Sequence, residues 1–330
     1  MTSYADAGVD IDAGNRTVKL LAEAVKSTNT PAVLSEVGAF GGLFSAESLG
    51  PGTVLVASTD GVGTKVDLAA RHGAWQSVGQ DLVNHCVDDI LVQGARPLFF
   101  LDYIATAKLV PELVAEIVIG MAAACRSVGC ALLGGETAEM PGVYTEGSVD
   151  IAGTIVGSVK RDDLWPRTDQ LRAGDVLIGM PSVSPHTNGY SLIRLLLAEH
   201  DPSEELIDWL LTPHKSYLDD VDSLRASGVE PKALAHITGG GFVENVPRVL
   251  PAHLGARFEL GSWPVPDGFR QLVEWGEIAD TEAFRVWNMG IGMVAIVDQS
   301  DADDSAYPMI GVIEEIGEAD PRVVLQGDWR

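Results

Sequence analysis

Short apolar runs alternate with longer amphipathic segments along the first half of the chain. Apolar runs that predict β-strands lie at residues 54–57, 97–104, 130–133 and 149–159. Segments with apolar residues at helical spacing, which predict helices, lie at residues 76–93 and 110–128. Strands that alternate with helices are typical of an α/β fold, in which helices cover a sheet.

The second half repeats this alternation after a polar, proline-containing stretch at residues 161–174. Strands are expected at 175–180, at 233–238, around Arg257, at 292–297 and at 309–313, and helices at 189–200, 217–226 and 242–249. A chain of 330 residues is long enough for two domains. We therefore predict two α/β domains, residues 1–167 and 168–330, with the boundary near Arg167.

Composition and charge restrict the partners of the protein. Hydrophobic residues make up 46% of the chain, which is enough for a packed core. Lys and Arg number 22 and Asp and Glu number 47, and the net charge of −25 disfavours nucleic acids and anionic membranes. The three cysteines form no CxxC pair, the start of the chain is acidic, and no apolar run reaches the ~20 residues of a membrane span. We expect a cytoplasmic protein without nucleic-acid or membrane partners.

Several common catalytic motifs are absent from the sequence. There is no GxxxxGK[ST] phosphate loop, no GxSxG and no HExxH. Residues 290–295 match GxGxxA, but the residues that follow predict a strand where a dinucleotide fold needs a helix. The sequence therefore argues against a P-loop enzyme and against a nicotinamide site.

Residues 58–65 follow a predicted strand and combine a carboxylate, two glycines and a lysine. Glycines let backbone amides approach phosphate oxygens, Asp60 can hold a hard cation, and Lys65 supplies a positive charge. The candidate nucleotide-binding residues here are Thr59, Asp60, Gly61, Gly63, Thr64 and Lys65. The alternative is an ordinary turn capped by Asp60, with Lys65 on the surface.

The helix predicted at 76–93 carries Asp81, His85, Asp88 and Asp89 on one side, while Cys86 lies on the apolar side. Carboxylates that share a helix face repel one another unless a cation or water screens them. The face is therefore either a metal site or a solvated polar surface. We expect His85 to be structural or exposed, because Mg²⁺ prefers oxygen ligands, and Cys86 to be inert core.

Further candidate residues follow other predicted strands. Gly134, Gly135 and Glu136 follow the strand at 130–133, which places a second carboxylate beside the first site at one edge of the sheet. In the second half, His186 and Asn188 lie in a loop before a helix, and a glycine triplet, 239–241, lies in another. Amides at helix starts favour phosphate, and His186 could donate to an anion or transfer a proton. Ordinary helix capping is the alternative for both loops.

Taken together, these segments resemble one enzyme family over nearly the whole chain. In chain order they are AGVDIDAGN (7–15), TDGVGTK (59–65), the acidic helix at 81–89, GGETAEMPG (134–142), PHTNGYSLIR (185–194), TGGGFVENVPRVLP (238–251) and WNMGIGM (287–293). They resemble the phosphoribosylformylglycinamidine cyclo-ligase family, also called AIR synthetases. The full set in the family's order is far more specific than any single segment.

The resemblance implies ATP-dependent closure of formylglycinamidine ribonucleotide to aminoimidazole ribonucleotide in purine biosynthesis. It implies an N-terminal ATP-binding domain with a small sheet, a C-terminal substrate domain with a larger mixed sheet flanked by helices, and a homodimer. Lys65 would stabilise charge on the transferred phosphoryl group, and Mg²⁺ would lie on Asp60, Asp89 and Glu136, with a monovalent cation such as K⁺ also allowed for. The implied substrate-binding residues are His186, which is also a catalytic candidate, Asn188, Gly239, Gly240 and Gly241.

The sequence departs from the family pattern at two places. Ala5 stands between Tyr4 and Asp6, where many relatives carry lysine, so a nucleotide contact made by that lysine is lost or supplied elsewhere. The acidic helix reads Asp88-Asp89 where Asn-Asp is common. Either carboxylate could reach the metal, and we favour Asp89.

Two other readings remain open at this stage. The first is a different member of the same ATP-using superfamily, such as thiamine-monophosphate kinase or selenophosphate synthetase, although the latter usually has a reactive residue near the N-terminus and the first cysteine here is Cys86. The second is a non-catalytic acidic metal-binding protein. The net charge of −25 supports this interpretation, but it gives no reason for the glycine loops.

Overall fold

The computed structural model describes residues 11–33 and 44–330, and these divide into two compact units. Unit 1 lies within Met1–Ile90 and Ala95–Arg161, and unit 2 comprises Leu91–Gly94 and Asp162–Arg330. Both contain helices and one mixed sheet, of four strands in unit 1 and six in unit 2. The predicted α/β class and the larger second sheet are thereby confirmed. Ala5 and its neighbours lie outside the described residues.

Unit 1 is a four-stranded sheet with helices. Its elements are α1 (Ile11–Lys26), β1 (Thr53–Gly61), α2 (Lys65–His72), α3 (Trp75–Leu91), β2 (Arg96–Thr106), α4 (Pro111–Ser127), β3 (Ala131–Glu139) and β4 (Val149–Lys160). The strand order is β1-β4-β2-β3, in which only β2 and β3 are parallel. Pro111 begins α4, where its missing N–H group costs no intrahelical bond.

The two faces of this sheet differ in burial, as the alternation along β4 shows. Ile151, Ile155 and Val159 are buried, whereas Thr154 and Val156 on the other face are half-buried. Helix α3 covers the buried face, because the Cys86 Sγ lies 3.8 Å from the carbonyl oxygen of a β4 glycine there. We call the other face of the sheet, which carries Thr154 and Val156, the open face.

Unit 2 is built on a six-stranded sheet in the order β10-β7-β9-β5-β8-β6. Its strands are β5 (Val176–Pro181), β6 (Ala233–His236), β7 (Leu254–Leu260), β8 (Ile291–Val297), β9 (Met309–Glu315) and β10 (Val323–Gly327). Its helices are α5 (Tyr190–Glu199), α6 (Glu204–Leu211), α7 (Leu218–Ala226), α8 (Gly241–Asn245), α9 (Asp267–Trp275) and α10 (Asp280–Val286).

Strand β8 is buried at every position, because both faces of the sheet are covered there. It begins at Ile291, inside the GxGxxA match, so a strand occupies the place where a dinucleotide site needs a helix. The reading of that motif as a nicotinamide site is thus excluded, as predicted. Among the described helices, none has the length and apolar character needed to cross a lipid bilayer.

Helix α3 is buried along most of its length and crosses α4 at a close approach. Gly79 of α3 lies against the backbone of Ile117, and Gly120 of α4 lies against the backbone of Gln76. A Cβ atom at either glycine would overlap a carbonyl oxygen of the other helix. Glycine is therefore required at both positions to let the two backbones meet.

We predict that Gly79→Ala destabilises unit 1, although alanine is preferred over glycine in helices by ~1 kcal/mol. Because the added methyl group would force α3 away from α4, we expect the free energy of unfolding to fall by roughly 1–3 kcal/mol. Chemical denaturation measures the change. Gln80→Ala, the neighbouring position on the same helix, is the control and should stay within about 0.5 kcal/mol of the parent. A Gly79→Ala protein as stable as this control would contradict the close approach.

Candidate active site

The polar side of α3 is buried in the folded unit. The exposed fractions of Asp81, His85 and Asp88 are 0%, 4% and 0%. The alternative of a solvated polar surface is therefore wrong. The side chains that meet this face come from β1 and from the first residue of α2.

Three contacts join this face to β1 and α2, and we call their six residues the α3 polar cluster. The contacts are Ser58 Oγ donating to Asp89 Oδ2 at 3.0 Å, His85 Nε2 to Asp60 Oδ2 at 2.8 Å, and Lys65 Nζ to Asp81 Oδ1 at 2.8 Å. The helix partners are four residues apart, which places them one above the other on a single face. Ser58, Asp60 and Lys65 therefore contact three successive turns of α3, in the order from its C-terminal end toward its N-terminal end.

His85 lies between two carboxylates. Its Nε2 atom is 2.8 Å from Asp60 and 4.0 Å from Asp89 Oδ2. Burial by itself lowers the pKa of His85, but the hydrogen bond to Asp60 and the charges of Asp89, Asp60 and Asp81 outweigh burial, so its pKa is raised. For Asp60, burial opposes ionisation, but the His85 hydrogen bond and charge lower its pKa below the usual value. Both shifts favour an imidazolium held by carboxylates.

The oxygen donors of Asp60 and Asp89 suit a hard divalent cation. Each places a carboxylate oxygen within 4.0 Å of the same imidazole nitrogen, so the two groups converge. Mg²⁺ in proteins is commonly held by one or two carboxylates, with water and phosphate oxygens completing the shell. The donor set fits Mg²⁺ in this way, with His85 in the role of a positioning group rather than a ligand.

Glu136 does not join this pair. Asp60 pairs with Gly153 in β4, Gly153 pairs with Asp102 in β2, and Asp102 pairs with Gly135 in β3. Directly paired residues lie on the same face of a sheet, and successive residues lie on opposite faces. Glu136 therefore projects from the open face, three strands away from Asp60. The prediction that three carboxylates converge is therefore wrong for Glu136 within the described part of unit 1, and an Mg²⁺ site on Asp60 and Asp89 stays a prediction.

Of the two glycines before Glu136, Gly135 has a packing role. Gly134 and Gly135 lie inside β3, which continues to Glu139 instead of ending at the glycines as predicted. A Cβ atom at Gly135 would overlap the carboxyl group of Asp102. Burial of that carboxyl group raises the pKa of Asp102 to about 7.

The other candidates of the first motif are distributed along β1 and the turn before α2. Asp60 and Gly61 end β1, and Gly63, with φ +57°, and Thr64 form the turn. The side chain of Thr59 projects from the open face, where its hydroxyl oxygen lies 2.8 Å from that of Thr154. Thr59 and Asp60 thus face opposite sides of the sheet.

Lys65 is enclosed in unit 1. Its side chain is 0% exposed and so is that of its partner Asp81, which excludes the surface-lysine alternative. Burial lowers the pKa of Lys65, while the charge of Asp81 and its hydrogen bond oppose that shift. The ammonium group therefore has a structural role in this conformation, and its contact with a transferred phosphoryl group stays a prediction.

Unit 2 brings its two candidate loops together. Asn188 lies next to Gly239, since its Oδ1 atom would be 3.4 Å from a Cβ atom placed there. The Asn188 Nδ2 atom is buried and has no acceptor among residues 11–33 and 44–330. His186, in the same loop, is 0% exposed. The Asn188 donor lies just before α5 and next to the glycine loop, and it has no acceptor there in the described part of the chain. An anionic or carbonyl oxygen of a ligand could bind at this position.

Asn245 fixes the glycine loop and was not among the predicted site residues. Its Nδ2 atom donates to the carbonyl oxygens of Thr238, Gly239 and Gly241 at 3.3, 3.2 and 2.9 Å. The backbone carbonyls of the loop are thereby turned toward Asn245. The signal available in the sequence was its place in the TGGGFVEN segment, where an asparagine follows the glycines at the distance of about one helical turn.

Comparison with known proteins bears on this arrangement. The chain matches the family models "AIR synthase related protein, N-terminal domain" over residues 30–159 and "AIR synthase related protein, C-terminal domain" over residues 172–326. A phosphoribosylformylglycinamidine cyclo-ligase of Desulfitobacterium hafniense is 50% identical over 309 residues, 91% of each chain. One from Thermoanaerobacter sp. is 44% identical over 339 residues, covering 98% of this chain and 100% of the relative.

The chain belongs to the phosphoribosylformylglycinamidine cyclo-ligase family. The resemblance found in its sequence is thus confirmed, and with it membership of a family of ligases. The fold of this cyclo-ligase is shared more widely. Thiamine-monophosphate kinase from Stenotrophomonas maltophilia K279a aligns with a TM-score of 0.68 at 16% identity, over 94% of this chain and 97% of that one. Hydrogenase maturation protein HypE in complex with ATP aligns with a TM-score of 0.65 at 16% identity, over 95% and 91%.

We predict that Lys65→Met in this cyclo-ligase costs roughly 3–5 kcal/mol of stability, because it removes the cation that faces the buried Asp81 carboxylate. Chemical denaturation of the protein without ligand measures the loss. The double variant Lys65→Met, Asp81→Leu should recover most of it, since both charges are then gone.

Arg71→Met is the matched control on the same helix. Arg71 and Asp67 form an ion pair in which the arginine side chain is 66% exposed, so the change should cost less than about 1 kcal/mol. If Lys65→Met is as mild as Arg71→Met, the buried ion pair does not stabilise unit 1 as we expect.

Proposed function

We propose that this chain closes the imidazole ring of formylglycinamidine ribonucleotide with ATP, giving aminoimidazole ribonucleotide, ADP and phosphate in purine biosynthesis. The observation that carries the proposal is the 44–50% identity to relatives named for this reaction, which extends over 91–98% of the chain. The two loops of unit 2 and the α3 polar cluster of unit 1 supply groups that suit it.

The reaction needs an activated oxygen and no side-chain nucleophile. ATP transfers its terminal phosphoryl group to the formyl oxygen, and the bond from that phosphorus to ADP breaks. The amine nitrogen of the substrate then attacks the same carbon, the C–O bond breaks, and phosphate leaves with the bonding pair while the nitrogen releases a proton. Catalysis of this kind depends on positioning and on charge stabilisation.

Unit 1 supplies the proposed Mg-ATP site. Asp60 and Asp89 would hold the metal ion, which when bound neutralises the triphosphate, and Gly61, Gly63 and Thr64 would offer backbone amides directly after Asp60. His85 keeps both carboxylates oriented through its contacts of 2.8 and 4.0 Å. Four of the predicted nucleotide-binding residues have no part in this proposed site. The side chains of Thr59 and Glu136 project from the open face, and Gly134 and Gly135 lie inside β3.

Unit 2 supplies the proposed substrate site. Asn188 and the loop 239–241 would hold the ribose phosphate, supported by the buried Asn188 Nδ2 donor next to Gly239. His186 would act near the reacting amidine, where an imidazole can accept the proton released by nitrogen. Asn245 would keep the glycine loop in its anion-binding form.

The other readings have less support. Thiamine-monophosphate kinase and HypE share the fold at 16% identity, and this shows the fold alone. A non-catalytic acidic protein would need neither Asn188 nor the fixed glycine loop. We also propose a cytoplasmic location, which the three free cysteines support because disulfides are rare in that compartment.

The test is incubation of the purified chain with Mg-ATP and formylglycinamidine ribonucleotide. We expect ADP and aminoimidazole ribonucleotide in equal amounts, with no comparable turnover of thiamine monophosphate or selenide. Chromatography of both products measures it. Equal turnover of thiamine monophosphate would overturn the assignment.

Two variants connect the turnover to the proposed metal site. Asp89→Asn keeps an acceptor for the Ser58 hydroxyl group but loses a charge, so the melting temperature without ligand should be unchanged or slightly raised. The rise in melting temperature that Mg-ATP causes in the parent, called the Mg-ATP shift, should be lost, and so should the activity. Ser58→Ala loses the same hydrogen bond without changing any charge, and should keep the Mg-ATP shift. A Mg-ATP shift that survives in Asp89→Asn would remove Asp89 from the site.

We further propose that the chain forms a homodimer through the open face of unit 1. Leu55 projects from this face and is 61% exposed, and Val156 and Thr154, further along the same face of β4, are only half-buried. Apolar surface on an open sheet face is typical of an interface between protein chains. The proposed partner is a second copy of this chain, pairing face to face.

We predict that Leu55→Asp converts the dimer to a monomer, because the interface would have to bury a carboxylate without a partner. Light scattering coupled to gel filtration measures the mass. Leu195→Asp on α5, at a leucine that is 58% exposed in unit 2, is the control and should leave the mass unchanged. A parent protein that is monomeric at micromolar concentration would contradict the proposal.

A further inference from the structure

Three histidines from separate segments of unit 2 meet in its interior. His186 lies in the loop between β5 and α5, His214 in the loop between α6 and α7, and His236 at the end of β6. Their exposed fractions are 0%, 1% and 6%. Each has a ring nitrogen that lies within 4.8 Å of a ring nitrogen of both others. The reaction proposed above uses only one of the three.

Two of these rings are already spaced like neighbouring ligands of one ion. The Nε2 atoms of His214 and His236 are 3.2 Å apart. Zinc binds imidazole nitrogens at about 2.0–2.1 Å in tetrahedral geometry, which puts neighbouring ligand atoms roughly 3.3 Å apart. At present the two nitrogens share a hydrogen bond, so an ion that replaces the shared proton would leave both rings nearly in place.

The third ring would have to turn. The ring of His186 is stacked on that of His214, with centroids 4.0 Å apart and an angle of 25° between planes. In that orientation its nitrogen lone pairs run alongside His214, so it reaches a shared ion only after rotation about its Cβ–Cγ bond. The His186 backbone, at φ +63°, is in the left-handed region that non-glycine residues rarely adopt. This backbone conformation holds His186 over the other two rings.

Space for the rings is made by glycine in β8. A Cβ atom at Gly292 would be 2.5 Å from His186 Cε1 and would also overlap the Tyr217 hydroxyl group. That hydroxyl group is held by the carbonyl oxygen of Pro181 at 3.2 Å. The walls around the three rings therefore come from a central strand and a fixed tyrosine.

We propose that His186, His214 and His236 form a binding site for a late first-row divalent cation, with Zn²⁺ or Co²⁺ as the type. The proposed donors are three imidazole nitrogens, a set that favours nitrogen-binding ions over Mg²⁺ and Ca²⁺. Three protein ligands leave the fourth position for water or for an oxygen of a bound molecule. The site shares His186 with the proposed ring-closing reaction, so its test measures Zn²⁺ binding rather than turnover.

Zinc binding is measured on the full chain after treatment with a chelator, at neutral pH and with millimolar Mg²⁺ present to occupy oxygen sites. Titration with Zn²⁺ alone, in competition with a chromophoric chelator, should show a single tight site per chain. His214→Gln and His236→Gln should each weaken Zn²⁺ binding by at least roughly 10–100-fold, the range already seen when groups that only support a ligand are changed. With Co²⁺, the parent should give the visible absorption of a four-coordinate nitrogen site.

One control locates the ion. His253→Gln changes an exposed histidine of unit 2, so this variant should bind Zn²⁺ like the parent. X-ray absorption of the Zn²⁺-loaded parent gives the ligands directly, even if a histidine variant fails to fold. Three imidazoles would support the site. A shell with fewer than three imidazoles, or equal Zn²⁺ affinity in His214→Gln and His253→Gln, would overturn it, whether or not the protein turns over formylglycinamidine ribonucleotide.

Discussion

The burial of the polar side of α3 is the constraint on which unit 1 depends. A helix with carboxylates at Asp81, Asp88 and Asp89 can enter a protein interior only if other groups compensate their charge. Lys65, the first residue of α2, provides that compensation for Asp81, and His85, on α3 itself, lies against Asp89. Because α3 also meets α4 through Gly79 and Gly120, the helix is fixed on both its polar and its apolar side.

The two units differ in the kind of ligand that their interiors suit. Unit 1 gathers charged groups, and its convergent oxygens favour hard cations and phosphate-bound metal. Unit 2 gathers nitrogen groups, the amide of Asn188 and the imidazoles around His214, beside backbone glycines. A chain with a net charge of −25 thus prepares two different local environments that its overall charge does not reveal.

The strongest apolar patterns predicted the fold well. The predicted strands and helices are all present, with ends shifted by a few residues, because long apolar runs are buried wherever they pair. The elements that the sequence did not reveal are α1, α2, α6, α9, α10 and β10. Helix α2 was hidden because its first residue, Lys65, is polar and follows a glycine turn, which suggested a loop. A helical wheel also gives the polarity of a face and not its surroundings, so the burial of Asp81 could not be foreseen.

The sequence predicted some of the proximities between candidate residues. Asp60, at a strand end, and Asp89, on the acidic helix, lie near the same imidazole, and Asn188 lies next to Gly239. The predicted position of Glu136 was wrong because a strand end tells only at which edge of the sheet a residue lies. The face from which its side chain projects changes with a register shift of one residue along the strand. That register is set by pairing across three strands, which no local pattern encodes.

Asp102 gives unit 1 a thermodynamic property of its own. Its carboxyl group, buried against Gly135, has a pKa of about 7, whereas an unfolded chain would titrate it near 4. Between those values the folded unit binds more protons at this site than the unfolded chain, so folding takes up a proton from solution. Its contribution to stability is therefore most favourable below about pH 4 and declines as the pH rises to about 7. A protein rich in carboxylates thus contains one that opposes the usual loss of stability in acid.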